Sequence, residues 1–62
     1  MLFRSANNIE RVRLFDITGQ LLLDSTENGE MVTIDMNGFA MGQYLLQVRT
    51  KDNVVTQKII KR

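Results

Sequence analysis

Two-residue alternation constrains this chain more than any other feature. Val12 and Leu14 alternate with Arg11 and Arg13, Val32, Ile34 and Met36 with Thr33 and Asp35, and Tyr44, Leu46 and Val48 with Gln47 and Arg49. Successive side chains of a strand point to opposite faces, so each segment presents one apolar and one polar face. No window of about 11 residues sustains the i, i+3, i+4, i+7 apolar spacing of an amphipathic helix. The chain therefore has to bury one face of an antiparallel sheet.

The breaks between segments set the strand order. Leu2 and Phe3 form a short strand that ends at Ser5-Ala6-Asn7-Asn8, and Ile9 to Phe15 is the next. Thr18-Gly19-Gln20 turns the chain, Gly19 supplying positive φ. Leu21-Leu22-Leu23 reads as a strand with Leu21 and Leu23 inward. Asn28-Gly29, inside the loop Thr26 to Glu30, is a hairpin signal. After Met31 to Met36, the segment Asn37 to Gly42 is a long turn in which Phe39 and Met41 tuck under the sheet. In the strand that follows, Leu45 is an apolar exception on the polar face. Lys51-Asp52-Asn53 is a tight turn before Val54 to Ile60. That last strand is apolar on both faces, Val55 and Ile59 against Val54 and Ile60, which leaves a partner to cover one of them. Six short strands at roughly ten-residue spacing predict an all-β sandwich of Greek-key type.

With 62 residues the chain is one domain. A domain this small buries only roughly 60% of the surface its unfolded chain exposes, so its core is marginal. It has neither Cys nor His, which removes disulfides and the commonest metal ligands as extra support. A partner is the remaining source, either the rest of a longer protein or a second copy in a homodimer or strand-swapped oligomer. No run of about 18 apolar residues is present. Met1 to Ser5 lacks the apolar stretch of a secretory signal, which would lie upstream of this piece if the parent is exported.

The net charge of +1 conceals segregation: residues 1–15 carry +2, residues 16–48 carry −5 and residues 49–62 carry +4. The faces of neighbouring strands could complement one another. Alternatively, the basic terminus could face an acidic receptor surface. Nucleic acid is a poor fit, because the basic residues lack interleaved aromatics.

No catalytic constellation is visible. Ser and Thr have no His to activate them, and no Ser lies near a Lys in a recognisable frame. Asp16 and Asp35 read as turn or surface acids. Asp24, Glu27 and Glu30 lack the dense alternate spacing of a Ca²⁺ loop, and Gly38 and Gly42 do not form a phosphate cradle. Nothing implies an enzyme, a cofactor, a metal or a small-molecule substrate.

Four segments in order carry a resemblance. Val12-Arg13-Leu14-Phe15-Asp16-Ile17-Thr18-Gly19-Gln20-Leu21-Leu22 comes first, then Val32-Thr33-Ile34-Asp35-Met36-Asn37-Gly38-Phe39. Gly42-Gln43-Tyr44-Leu45-Leu46-Gln47-Val48 and Thr56-Gln57-Lys58-Ile59-Ile60-Lys61 complete the set. Together they resemble the type IX secretion C-terminal sorting domain (Por secretion system type A sorting domain) over residues 9–62. The family usually opens with a Pro-x-Pro stretch, and this chain has no Pro. Residues 1–62 thus read as one sorting domain slightly trimmed on its N-terminal side.

The resemblance implies a small immunoglobulin-like antiparallel β-sandwich of about six to seven strands that acts as an address. Its cargo would cross the periplasm, be recognised by the outer-membrane secretion machinery and reach the cell surface or the extracellular space, with a sortase-like protease acting on the full-length parent. Lys58, Ile59, Ile60, Lys61 and Arg62 are the candidates for translocon recognition, since they combine a strand edge, mixed apolar faces and positive charge. Asp16, Gly19, Gln20, Gly42, Tyr44, Leu46 and Val48 match the family motifs and read as structural. The rival reading is a structural β-sandwich appended to an extracellular enzyme without a sorting role. A carbohydrate-binding module fits poorly, because Tyr44 is the only Tyr and Trp is absent.

Overall fold

The computed structural model describes residues 2–62, with the side chains of Arg4 and Ala6 outside the description. Four strands follow one another, β1 (Leu2–Asp16), β2 (Leu21–Thr33), β3 (Gly42–Thr50) and β4 (Val54–Lys61). They form one antiparallel sheet in the order β2-β1-β3-β4, which curls into a half-barrel. The all-β antiparallel class is as the alternation predicts. The strands are fewer and longer than the sequence breaks suggest, because two pairs of segments run together.

In the first pair, Leu2-Phe3 and Ile9–Phe15 are one strand: the polar run between them bends the ladder without ending it. Register shifts lie between the Arg4 and Ile9 pairings and between those of Ile9 and Arg11. Asn7 N–H donates to Ser5 Oγ (3.2 Å), and Asn8 Nδ2 donates across to Asn28 Oδ1 (3.2 Å). In the second pair, Asn28-Gly29 does not make a hairpin turn. Gly29 pairs with Ile9 inside β2, beside those register shifts, so the glycine marks a bulge instead.

The bulges fold the long β1–β2 hairpin back over the sheet. Val32 pairs with Phe3 at the open end of the hairpin, whereas Val12 pairs with Ser25 near its middle. Yet both line one cavity of about 190 Å³ with Leu23 and Ile34. Val32 and Ile34 thereby join Ile9, Val12, Leu14, Tyr44, Leu46 and Val48 in a single core, and this gives sandwich-like packing.

Two side chains depart from the expected positions. Leu23 packs toward the core, but Leu21 is exposed and pairs with Phe15. The ladder steps from Leu14↔Leu23 to Phe15↔Leu21, so Leu22 is an extra residue and turns toward the core in place of Leu21. Phe39 packs against the core as expected, while Met41 is 76% exposed. The tilted Phe39 and Tyr44 rings, 5.9 Å apart, already fill that end of the core, which leaves no place for Met41.

Candidate functional site

The turn between β1 and β2 is built on one carboxylate. Asp16 Oδ1 accepts hydrogen bonds from Thr18 N–H (2.9 Å), Thr18 Oγ1 (2.6 Å) and Gln20 N–H (2.9 Å). The main chain closes the turn: Gly19 N–H donates to Asp16 O and Asp16 N–H to Gln20 O, both at 3.0 Å. Gly19 has φ +93°, a conformation that L side chains rarely adopt. Asp16, Gly19 and Gln20 thus close this turn together, and Thr18 joins them. The signal for Thr18 lies in the sequence, since a hydroxyl two residues after an Asp is placed to cap the same oxygen.

Those hydrogen bonds, that of the Thr18 side chain foremost, hold the Asp16 carboxyl below its ordinary range. A carboxylate with a lowered folded pKa contributes stability above its unfolded value of about 3.9 and loses it as pH falls through the folded value. Thermal unfolding of Asp16→Asn should therefore differ from wild type at pH 7, and the difference should shrink below about pH 4. A difference that persists undiminished at pH 2 would show that the carboxylate charge is irrelevant to the turn.

At the same end of the sheet, where Asp16 pairs with Tyr44, residues Gly42, Tyr44 and Lys61 organise the 34–41 loop. Gly42 has φ +148°, and a Cβ there would meet nothing within 4 Å, so backbone conformation rather than space selects glycine. Tyr44 is buried and donates its hydroxyl to Ala40 O. Lys61 Nζ donates to Met36 O (2.7 Å) and Phe39 O (2.6 Å), and Phe39 N–H donates to Met36 O (3.1 Å). The ammonium of the terminal strand thus latches this loop, an engagement that sequence spacing cannot reveal because 22 and 25 residues separate the partners.

Among the described residues β4 pairs only with β3 within the sheet, so its second edge is open. Partners across an antiparallel pair share a face. The register Tyr44↔Ile59, Leu46↔Gln57 and Val48↔Val55 puts those three β4 residues on the core side, where Ile59 packs against the core. Gln43↔Ile60, Leu45↔Lys58 and Arg49↔Val54 put the others on the outer face. Lys58, Ile60 and Arg62 are exposed, as are Val54 and Val55. Leu46 and Val48 lie wholly inside, so the strand that best matches the family motif supplies core, and the accessible surface lies one strand further on.

The outer face carries two features that the alternation alone does not bring together. A largely apolar cavity of about 180 Å³ is lined by Ile17, Gln43, Tyr44, Leu45 and Lys58. Ile17 comes from the Asp16 turn and is 70% exposed. Further along the same face lie Arg11, Arg13 and Arg49, of which the first two meet Asp24. Arg11 grips Asp24 through Nε (2.8 Å) and Nη2 (2.6 Å), while Arg13 Nε stands 3.8 Å from its Oδ1. The hydrogen bond from Arg11 holds the Asp24 carboxyl low and raises the arginine in return.

No group of three or more acidic, His or Cys side chains that could hold a metal ion occurs among the described residues. No curated protein and no solved structure matches the chain. The family profile of the secretion system C-terminal sorting domain matches residues 2–62. The match covers essentially the whole described chain, including the Asp16 turn, the 34–41 loop and β4. The chain belongs to the type IX secretion C-terminal sorting domains, signal domains of proteins exported to the cell surface or the extracellular space.

Proposed function

We propose that the domain addresses its cargo, after passage through the periplasm, to the type IX outer-membrane translocon by offering β4 as a docking edge. The observation that carries this reading is the unpaired second edge of β4, flanked by exposed Lys58, Ile60 and Arg62. An open edge presents a row of backbone donors and acceptors that an incoming strand can pair, and the flanking side chains select the partner. Ile17, Leu45 and Ile60 add apolar surface on the outer face beside it. The positive charge at Lys58 and Arg62 steers the domain toward an acidic receptor. Ile59 and Lys61 hold the strand in place, through the core and through the loop latch. A sortase-like protease would then act on the parent protein, upstream of these strands.

The test is a periplasmic reporter fused to residues 1–62 in a host that carries the export system. Intact, the tail should bring the reporter to the cell surface. Lys58→Glu combined with Ile60→Glu should abolish display while leaving the circular dichroism spectrum unchanged, since both side chains are exposed on the outer face. Display that persists with the double variant would place recognition elsewhere. If the intact tail gives no display at all, the domain is a structural appendage and not an address.

A further inference from the structure

We propose that the arginine-lined cavity on the outer face of the sheet binds a phosphate group in its dianionic form. The cavity is about 80 Å³ and is lined by Arg11, Arg13, Gln47, Arg49 and Val54, which come from three adjacent strands. Its register is unusual for a surface that serves only to be wet. Arg11 lies directly opposite Arg49, and Arg13 is opposite Gln47 on the next outward row. Like charges directly opposite each other destabilise an antiparallel pair. Asp24 is the carboxylate that faces two of the three guanidinium groups, Arg11 and Arg13, and it is taken up in both oxygens by Arg11. Arg13 Nε is buried with no hydrogen-bond partner, 3.8 Å from that carboxylate, and Arg49 has no ion pair among the described residues.

Three arginines and one aspartate leave the cluster at +2, which matches a phosphate dianion. The donors also fit. Each guanidinium is a planar fork whose N–H groups can pair two oxygens at once. A second carboxylate has two oxygens to offer, whereas a phosphate group presents three or more to Arg13, Arg49 and the free side of Arg11 together. Lys51 and Asp52 in the β3–β4 turn line a separate cavity with Arg49. The site lies at the opposite end of β4 from Lys58 and Ile60, and it does not depend on the docking reading.

The experiment is a titration of the whole chain with inorganic phosphate, read from the arginine Nε–Hε resonances by NMR. Saturable shifts are expected at Arg11, Arg13 and Arg49, with Arg62 unmoved. Arg13→Gln and Arg49→Gln should each weaken phosphate binding about tenfold, the loss of one charged hydrogen-bonded pair, while Lys51→Gln should not. Inorganic phosphate takes up its second proton near pH 7, about one unit above a phosphate monoester, so its affinity should fall between pH 8.5 and pH 5. Sulfate, which stays a dianion over that range, should bind equally at both.

The source of the group is separated by vesicles of phosphatidylcholine with and without phosphatidic acid. Arginine-dependent retention on the phosphatidic acid vesicles assigns a lipid headgroup, and phosphate binding without retention assigns a soluble phosphate. Either result supports the site. Shifts that grow linearly with concentration, or equal shifts at Arg62, would reduce the effect to screening and overturn the proposal. Tighter arginine-dependent binding of a glutamate-rich peptide would also overturn it, in favour of a protein ligand.

Discussion

Leu46→Ala should cost the domain a large share of its folding stability, about 2–5 kcal/mol. Leu46 is fully buried at the centre of the sheet, paired with the equally buried Leu14 on β1 and bounded by Tyr44 and Val48 along β3. Truncating such a leucine removes its transfer free energy and leaves a cavity, about 2–5 kcal/mol together. Domains are stable by roughly 0.05–0.15 kcal/mol per residue, which for this length is about 3–9 kcal/mol. One substitution therefore removes about a fifth of the stability at best and all of it at worst. Neither disulfide nor prolines restrict the unfolded chain to soften the loss. Leu45→Ala is the control: the residue is adjacent on the same strand but lies on the outer face, 40% exposed. It should cost less than about 1 kcal/mol. Urea titrations followed by far-ultraviolet circular dichroism would separate the two, and equal losses would refute the assignment of faces.

Lys61→Met should loosen the 34–41 loop without disturbing the rest of the sheet. The substitution keeps the length of the side chain and removes the ammonium that bridges Met36 O and Phe39 O. Hydrogen bonds to a charged donor contribute about 1.5–3 kcal/mol when sheltered, and these are only partly buried, so a loss of about 2 kcal/mol is the expected scale. That corresponds to about a thirtyfold faster amide exchange at Phe39, whose N–H closes the loop onto Met36 O. Lys58→Met removes the same charge from the outer face of the same strand and should leave the exchange of Phe39 as it was. If both variants behave alike, net charge and not the latch is responsible.

The sequence reading succeeded where one residue's neighbours along the chain settle its environment. Val12, Leu14, Tyr44, Leu46 and Val48 could be placed inward by alternation alone, and Gly19 could be assigned positive φ from its turn. The reading failed where the ladder slips. Leu21 was expected inward and faces out because Leu22 is an extra residue at a bulge, and a slip of one residue reverses the face of a side chain. Asn28-Gly29 carries a genuine turn composition, yet pairing with Ile9 keeps it inside β2. Met41 looked like a core plug because it is large and apolar, but Phe39 and Tyr44 occupy the space first.

By itself, the sequence determined the all-β class, the inward residues of the cleanly alternating segments and the membership of the family, because all three rest on local periodicity and on motifs read in order. It also determined that the last strand is basic and apolar together. Only the tertiary structure decided what that strand is free to do. Strand order leaves β4 at an edge, the register turns Lys58 and Ile60 outward and Ile59 and Lys61 inward, and the loop between β2 and β3 supplies the carbonyls that Lys61 holds. The meeting of Arg11, Arg13 and Arg49 is of the same kind. Arg49 lies 36 or more residues along the chain from the other two, and only pairing β3 against β1 sets it beside them. Contacts between distant segments depend on register, and register is fixed by bulges and by the packing of the whole core rather than by any one segment.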